Sequence, residues 1–407
     1  MKICFVGGTR YPHPLEASQR KKFRLLGSLA EVFVIGFSTD LRFRAFTDEA
    51  RFYLLPRLPF APLRYAELLT LSPFILFWLI GRHGIQVLVS QSAYEGSAAA
   101  LAKKITGRFG CKVVLIIESH GDFEASVFLQ RRIRLQFLYR AVMRCCVNFA
   151  LRASDLSRAV SYSTREQLAR WQAARPIFQF PTWTDIELFS QPAGGERDAL
   201  CPHILYAGAL IPRKGVHHLI EAFAGLAKEF PRARLIIVGY KENKVYANEL
   251  RKRVLGLYLE ERVQFAGQLS QEELAAWMRR ASLFALPTYS EGLPRVVFEA
   301  MAAELPVVAS AVSGVPEIIR DGVTGFTPAP GDEGELREKM LWLLRHPDEA
   351  REMGRRARRA AAEIFSAEAY RAGYRRMLDA AAARLAPLRP TTNSFEDDTE
   401  HGTEPVA

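Results

Sequence analysis

The feature that most constrains this chain is a rhythm. Short, continuously apolar runs alternate with longer segments of helical periodicity. In the first half the runs are Lys2–Val6, "EVFVIGF", "IQVLVS", "CKVVLIIE" and "AVSYST". In the second half they are "HILYAGAL", "ARLIIVG", "RVQFAG", "SLFALPT" and "PVVAS". Strands apolar on both faces, each followed by a helix, form mostly parallel sheets covered on both sides. Two such series in 407 residues predict two doubly wound, Rossmann-like α/β domains. Pro192, Gly194 and Gly195 place the break near residues 190–200. The expected units are residues 1–190, residues 200–365 and a last helix, 366–385, returning toward the first domain. A polar tail, 386–407, has little to bury and is expected to be disordered.

Several local readings fill in this frame. Helical patterns cover about Ser18–Leu29, Ala93–Thr106, Phe128–Ala153 and "REQLARW" in the first half. The run Leu68–Ile80 is apolar but broken by Ser72 and Pro73 and short of the ~20 residues of a membrane span, so it reads as a buried or interface-lying helix. The opening "MKICFVGG" has too short an apolar run for a signal peptide. The five cysteines lack metal-ligand spacing and read as reduced thiols of a cytosolic protein.

Charge is unevenly shared. Residues 1–190 hold 26 Lys and Arg against 14 acids, and residues 191–407 hold 29 against 30. A basic first half suits an anionic partner or a plain solvated surface. No helix-turn-helix, zinc or RNA-sheet signature accompanies it, which argues against nucleic acid.

In open α/β domains ligands bind beyond the carboxyl ends of strands, so the loops after strands carry the site. In "LYAGALIPRKG", Gly208 allows a tight exit, and Arg213 and Lys214 precede a helix N-terminus. Two cations there suit a diphosphate or form a solvated loop. In "TYSEGLPRVVFEAM", Glu291 sits at the mouth of a helix that Pro294 opens. The amides of Gly292 and Leu293 can meet phosphate oxygens, and Glu291 can accept sugar hydroxyls or act as a favourable first-turn acid. Glu299, one to two turns on, can accept ribose hydroxyls or lie on the surface.

The blocks "YAGALIPRKGVHHLIEAF", "ARLIIVG", "VQFAGQLSQEEL", "SLFALPTYSEGLPRVVFEAMAAELPVVAS" and "GVPEIIRDGVTGF" follow one another over about residues 203–330. In this order they resemble the nucleotide-sugar-binding domain of the retaining glycosyltransferases of family 4, the group 1 glycosyl transferases. The resemblance implies a GT-B fold, two Rossmann-like domains facing across a cleft. It implies transfer of a hexosyl group from a UDP- or GDP-sugar to a hydroxyl of a glycan or lipid-linked acceptor. Same-face attack is implied, with the leaving phosphate taking the acceptor proton, no metal required, and domain closure excluding water. Arg213 and Lys214 correspond to the pair that holds the donor diphosphate, Glu291 to the acid on the donor sugar, and Glu299 to the acid on the ribose. Gly267 corresponds to the position near the base, Gly7 and Gly8 to the first-domain glycine loop, and His120 to the histidine near the reacting sugar. His120 also reads as a simple loop cap.

The chain departs from the family pattern in two places. Gly7-Gly8 closes its strand directly, so that Arg10, Arg20 and Lys21 are expected to face an anionic acceptor. "YKENKVY" lacks the small acidic turn common in relatives, leaving the base unassigned. Together with the apolar segment, the basic first domain suggests peripheral contact with an anionic membrane from the cytoplasmic side. Other readings are a noncatalytic glycan- or nucleotide-sugar-binding relative, or another two-domain sugar enzyme such as an epimerase or phosphorylase.

Overall fold

The computed structural model describes residues 1–121, 136–172, 175–191, 198, 200–240 and 243–386. Strands of the first sheet are β1 (Lys2–Arg10), β2 (Glu31–Phe37), β3 (Arg44–Asp48), β4 (Ala50–Leu55), β5 (Val87–Ser90), β6 (Val114–Ser119), β7 (Leu156–Ala159) and β8 (Ile177–Gln179). Their order is β3-β4-β2-β1-β5-β6-β7-β8, and only the β3–β4 pair is antiparallel. The second sheet holds β9 (His203–Ala207), β10 (Arg234–Val238), β11 (Val263–Gly267), β12 (Leu283–Leu286) and β13 (Val307–Ala309) in the order β11-β10-β9-β12-β13, all parallel. Both sheets reverse direction about their first strand, which puts a crevice over β1 and over β9.

Alternate residues of the first sheet feed two cores. Ile3, Phe5, Val87 and Ile116 point to one face, and Cys4, Val6, Leu88 and Ile117 to the other. The second domain has a single large cluster that includes Tyr206, Phe223, Ile236, Phe284 and Phe298. The helix Pro347–Ile364 packs there through Met353, Ala357 and Ala361. The helix Ala367–Leu385 instead joins the first-domain core through Tyr370, Tyr374, Met377 and Leu378. The chain thus crosses between domains twice.

Three first-half readings are corrected. The run "AVSYST" is not a strand: β7 ends at Ala159, and Ser161 caps the helix Tyr162–Trp171 by accepting from the Thr164 amide. A serine with a threonine three residues on competes for backbone groups and starts a helix. β1 does not stop at Val6 but runs on past a bulge to Arg10, which pairs with Phe37. The broken apolar run lies inside one 23-residue helix, Ala61–His83, which carries Pro73 internally. By length and composition its Leu63–His83 portion is apolar enough to cross a membrane, with a third of that window buried. Leu68, Leu76, Leu79 and Ile80 hold it to the domain, while Phe74, Phe77 and Trp78 stand exposed. Of the Phe128–Ala153 pattern, a helix covers Gln136–Ala153, and the part before residue 136 lies outside the described residues, as does the tail from 387.

Candidate active site

The loops after β9 and β12 meet at the top of the second sheet. Arg213 and Lys214 lie in a 3-10 turn, Pro212–Lys214, and Gly215 follows with a left-handed φ of 64°. A Cβ at Gly215 would stand 1.9 Å from the Pro287 carbonyl oxygen, so glycine is required for the two loops to touch. The Tyr289 amide donates to the Arg213 carbonyl at 2.9 Å and fastens them. Gly208 leaves β9 against Gly239, where a Cβ would meet the Gly208 oxygen at 1.8 Å.

Glu291 is buried at this junction. Lys214 Nζ donates to its Oε1, Thr288 Oγ1 donates to the same oxygen at 3.2 Å, and Arg213 Nη1 lies 3.8 Å from Oε2. Arg213 Nη1 also donates to the Ser290 carbonyl, while its buried Nε has no hydrogen-bond partner among the described residues. Glu291 therefore lies before the helix Arg295–Ala302, outside its first turn, and is held by two cations rather than by the helix. The Gly292 and Leu293 amides donate to no group among the described residues. The helix N-terminus beyond Lys214 is different: its His217 amide already donates to the Tyr246 hydroxyl at 3.3 Å. The two cations that flank this turn are both engaged with Glu291.

Glu299 is 4% exposed, so it is not a surface position. Burial raises its carboxyl above the usual range, and Arg295, 3.7 Å away and half-exposed, only partly offsets this. Gly267 ends β11 with φ 75° in open space, and its carbonyl accepts from the Gly239 amide at 2.7 Å. It is exposed, on the far side of the crevice from Glu291 by strand order.

The first domain closes over this junction. A Cβ on Gly292 would lie 1.9 Å from the His120 carbonyl oxygen and 2.8 Å from Gly121 Cα, so the backbones of the two domains touch there. His120 is not a free loop cap, since its Nε2 is 3.0 Å from Glu118 Oε2. Glu118 is buried and is gripped by Arg158 Nη1 at 2.7 Å and the Tyr374 hydroxyl at 2.5 Å. Burial pushes the Glu118 carboxyl up, but Arg158, His120 and Tyr374 outweigh it and hold it well below the usual range. Arg158 in turn donates to the Pro181 carbonyl at 2.6 Å and stacks 4.1 Å over Phe180. A charge network built on the last helix thus orients the histidine. Half-buried Lys22 faces the same space, and burial, with Arg158 and Arg295 adding, lowers its pKa to about 8 despite Glu118.

Gly7 is buried against Gln91, and the Gly8 amide donates to Glu95 Oε1 at 2.8 Å. Glu95, 8% exposed, went unnoticed in the sequence. Burial pushes its carboxyl up to about 7, although the Gly8 amide and Ser92 hydroxyl pull the other way. Arg20 and Lys21, expected to face an anionic acceptor, are engaged in ion pairs. Arg20 pairs with Asp48 at 3.1 Å, and Lys21 with Asp185 and Glu187 at 3.0 and 2.8 Å. No group of three or more metal-ligating side chains occurs among the described residues. The five cysteines are unpaired with one another.

Residues 198–360 match the family model described as Glycosyl transferases group 1. The MMP alpha-(1->4)-mannosyltransferase of Mycolicibacterium hassiacum is 32% identical over 207 residues, covering 51% of this chain and 49% of that protein. The D-inositol 3-phosphate glycosyltransferase of Streptomyces scabiei is 36% identical over 178 residues, 42% of this chain and 39% of that one. The chain therefore spans half or less of the length of these relatives. Among solved structures, sucrose-phosphate synthase from Thermosynechococcus elongatus aligns with a TM-score of 0.78 at 20% identity, over 94% of this chain and all of that one. Anabaena HepE in complex with UDP aligns at 0.71 and 19% identity, over 93% of this chain and 100% of that chain. These likenesses give the whole chain the GT-B fold.

Proposed function

We propose that the chain, whose residues 198–360 match the family model of glycosyl transferases group 1, is a glycosyltransferase that moves a hexosyl group, with retention, from a nucleoside diphosphate sugar to an acceptor hydroxyl. The observation that carries this reading is the convergence of Arg213, Lys214 and buried Glu291 beneath the backbone of His120 and Gly121.

Each residue has work in that reaction. Negative charge grows on the diphosphate as the anomeric bond breaks, and Arg213, Lys214 and the Gly292 and Leu293 amides stabilise it where it appears. A charge-assisted hydrogen bond of this kind contributes ~1.5–3 kcal/mol. A diphosphate draws Lys214 away from Glu291 and leaves that carboxylate to accept sugar hydroxyls. Glu299 accepts the ribose hydroxyls, which supply partners for a carboxyl that burial disfavours as an anion. Gly267 leaves room for the base, and Gly7 and Gly8 let the first domain approach the donor. His120, oriented by Glu118, lies beside the reacting sugar. With acceptor and donor on one face, the leaving phosphate oxygen takes the acceptor proton. Closure keeps water from the donor.

UDP in the HepE structure supports a nucleotide-sugar donor, UDP or GDP being the candidates. The acceptor is a glycan or a lipid-linked glycan. Exposed Phe74, Phe77 and Trp78 beside a basic domain favour contact with an anionic membrane surface, on the cytoplasmic side.

The test is nucleotide release from a panel of UDP- and GDP-sugars with glycan and lipid acceptors. Wild type is expected to turn over at least one donor, and Glu291→Ala to lose that turnover with its circular dichroism intact and its melting temperature lowered by the unpaired Lys214. Unchanged turnover in the variant, or no nucleotide bound by the wild type in calorimetry, would falsify the assignment.

A further inference from the structure

The corrected end of β1 opens a second site. Arg10 closes β1, Phe37 closes β2, and Arg57 follows β4, so all three lie at the carboxyl edge of the first sheet. Arg64 and Tyr65 come from the first turns of the helix Ala61–His83. Together with Gly8 these residues line a cavity of about 130 Å³. A single water needs only ~10–15 Å³, so a tetrahedral oxyanion and several waters fit.

The charge in this cavity is unbalanced. None of Arg10, Arg57 and Arg64 forms an ion pair with a carboxylate among the described residues, where eighteen other Lys or Arg contacts with carboxylates occur. The carboxylate of nearby Asp40 is taken by Arg44 at 2.5 Å, and its carbonyl accepts from the Arg57 backbone amide at 2.8 Å rather than from the guanidinium. Glu67 sits one turn from Arg64, and its buried Oε2 has no hydrogen-bond partner among the described residues. Burial lowers the pKa of Arg57, and the positive charges of Arg10 and Arg64 lower it further. Arg10 is exposed and Arg57 and Arg64 are partly buried, so like charges gathered at this edge attract an anion. The planar fork of arginine suits phosphate oxygens.

We propose that Arg10, Arg57 and Arg64 form a receptor for a phosphate group carried by the acceptor. The site is distinct from the donor loop, since every residue lining it belongs to the first domain. Gly8 is its shared wall with the donor side, and Tyr240 of the second domain lies within electrostatic reach of Arg57. A phosphate anchored here sets a nearby hydroxyl toward the cleft. That the phosphate belongs to the acceptor rests on the transferase reading above; the anion site itself does not.

The experiment has two arms on the full chain. In the first, sn-glycerol 3-phosphate, with glycerol as control, is titrated by calorimetry into wild type, Arg57→Gln, Arg64→Gln and Arg213→Ala. In the second, sedimentation with phosphatidylglycerol vesicles is measured for the same proteins. Each of Arg57→Gln and Arg64→Gln is expected to weaken glycerol phosphate binding about tenfold or more, with Arg213→Ala unchanged. UDP titrations are expected to show the reverse order. A loss confined to the vesicle arm also supports the site and assigns the phosphate to a lipid headgroup. Wild-type behaviour of both variants in both arms overturns the proposal, as does weakening by Arg213→Ala alone, which puts the anion on the donor loop. If wild type binds no UDP, the donor reading fails while the glycerol phosphate comparison still stands. Neither variant removes an ion pair, so their melting temperatures are expected at or above wild type.

Discussion

At the scale of single residues, Glu95 gives a pH signature. Its carboxyl is raised to about 7 by burial. A raised acid contributes stability that is whole below its unfolded value, near 4.5, and is lost as pH climbs through about 7. The shift corresponds to a loss on the order of 3 kcal/mol. Glu95→Gln keeps an oxygen for the Gly8 amide and removes the titration. Urea unfolding at about pH 5 and about pH 8 is expected to show the wild type losing this stability and the variant keeping it. A parallel pH response in both proteins would show that Glu95 ionises without cost. Glu95 was not legible in the sequence because its environment is made by Gly8, 87 residues away. The same is true of Glu118, whose partners Arg158 and Tyr374 lie 40 and 256 positions away. Glu291 and Glu299 were legible as candidates, because loop-then-helix is a local pattern. Their burial and Glu291's pairing with Lys214 were not, since those depend on a loop 77 residues earlier.

At the scale of elements, the turn Pro212–Lys214 and the loop before Arg295 act as one unit, joined through Tyr289 and Gly215. Arg213→Ala is expected to weaken nucleoside diphosphate binding about tenfold or more in calorimetry, and equal affinity would remove Arg213 from the site. The helix Ala61–His83 is a second unit with two apolar faces, one in the core and one bearing Phe74 and Trp78. Replacing both exposed aromatics by serine is expected to reduce sedimentation with anionic vesicles while leaving the melting temperature nearly unchanged. Wild-type sedimentation of the double variant would dismiss this face as a membrane contact. The β-α alternation of the second domain was legible throughout, because each strand is a short apolar run. The β3–β4 hairpin was missed because β3 alternates partly buried and exposed residues and carries no continuous apolar run. With it went Arg57, whose role depends on where β4 ends.

At the scale of the whole molecule, the seam between the domains includes the backbones of His120, Gly121 and Gly292, buried Val160 and the carboxylate of Glu317. Glu317, in the short helix Val315–Ile318, accepts from the Tyr162 amide at 2.6 and 2.7 Å, capping a first-domain helix from across the cleft. Losing a cap costs about 1 kcal/mol, so Glu317→Ala is expected to favour opening and to raise the KM for donor without unfolding either half. An unchanged KM would show that closure does not depend on this contact. Gly314 packs beside it, where a Cβ would meet the Gly292 oxygen at 2.5 Å and Ser161 Cβ at 2.9 Å.

The bare backbone at position 292 has a mechanical consequence. One methyl group there would act as a doorstop, because the clearance to the opposing carbonyl is already used up. Gly292→Ala is expected to keep both halves folded yet prop them ajar, enlarging the solution scattering radius and slowing turnover ~100-fold, as misplacement by an ångström does elsewhere. What shuts the jaws of this protein is the absence of a side chain.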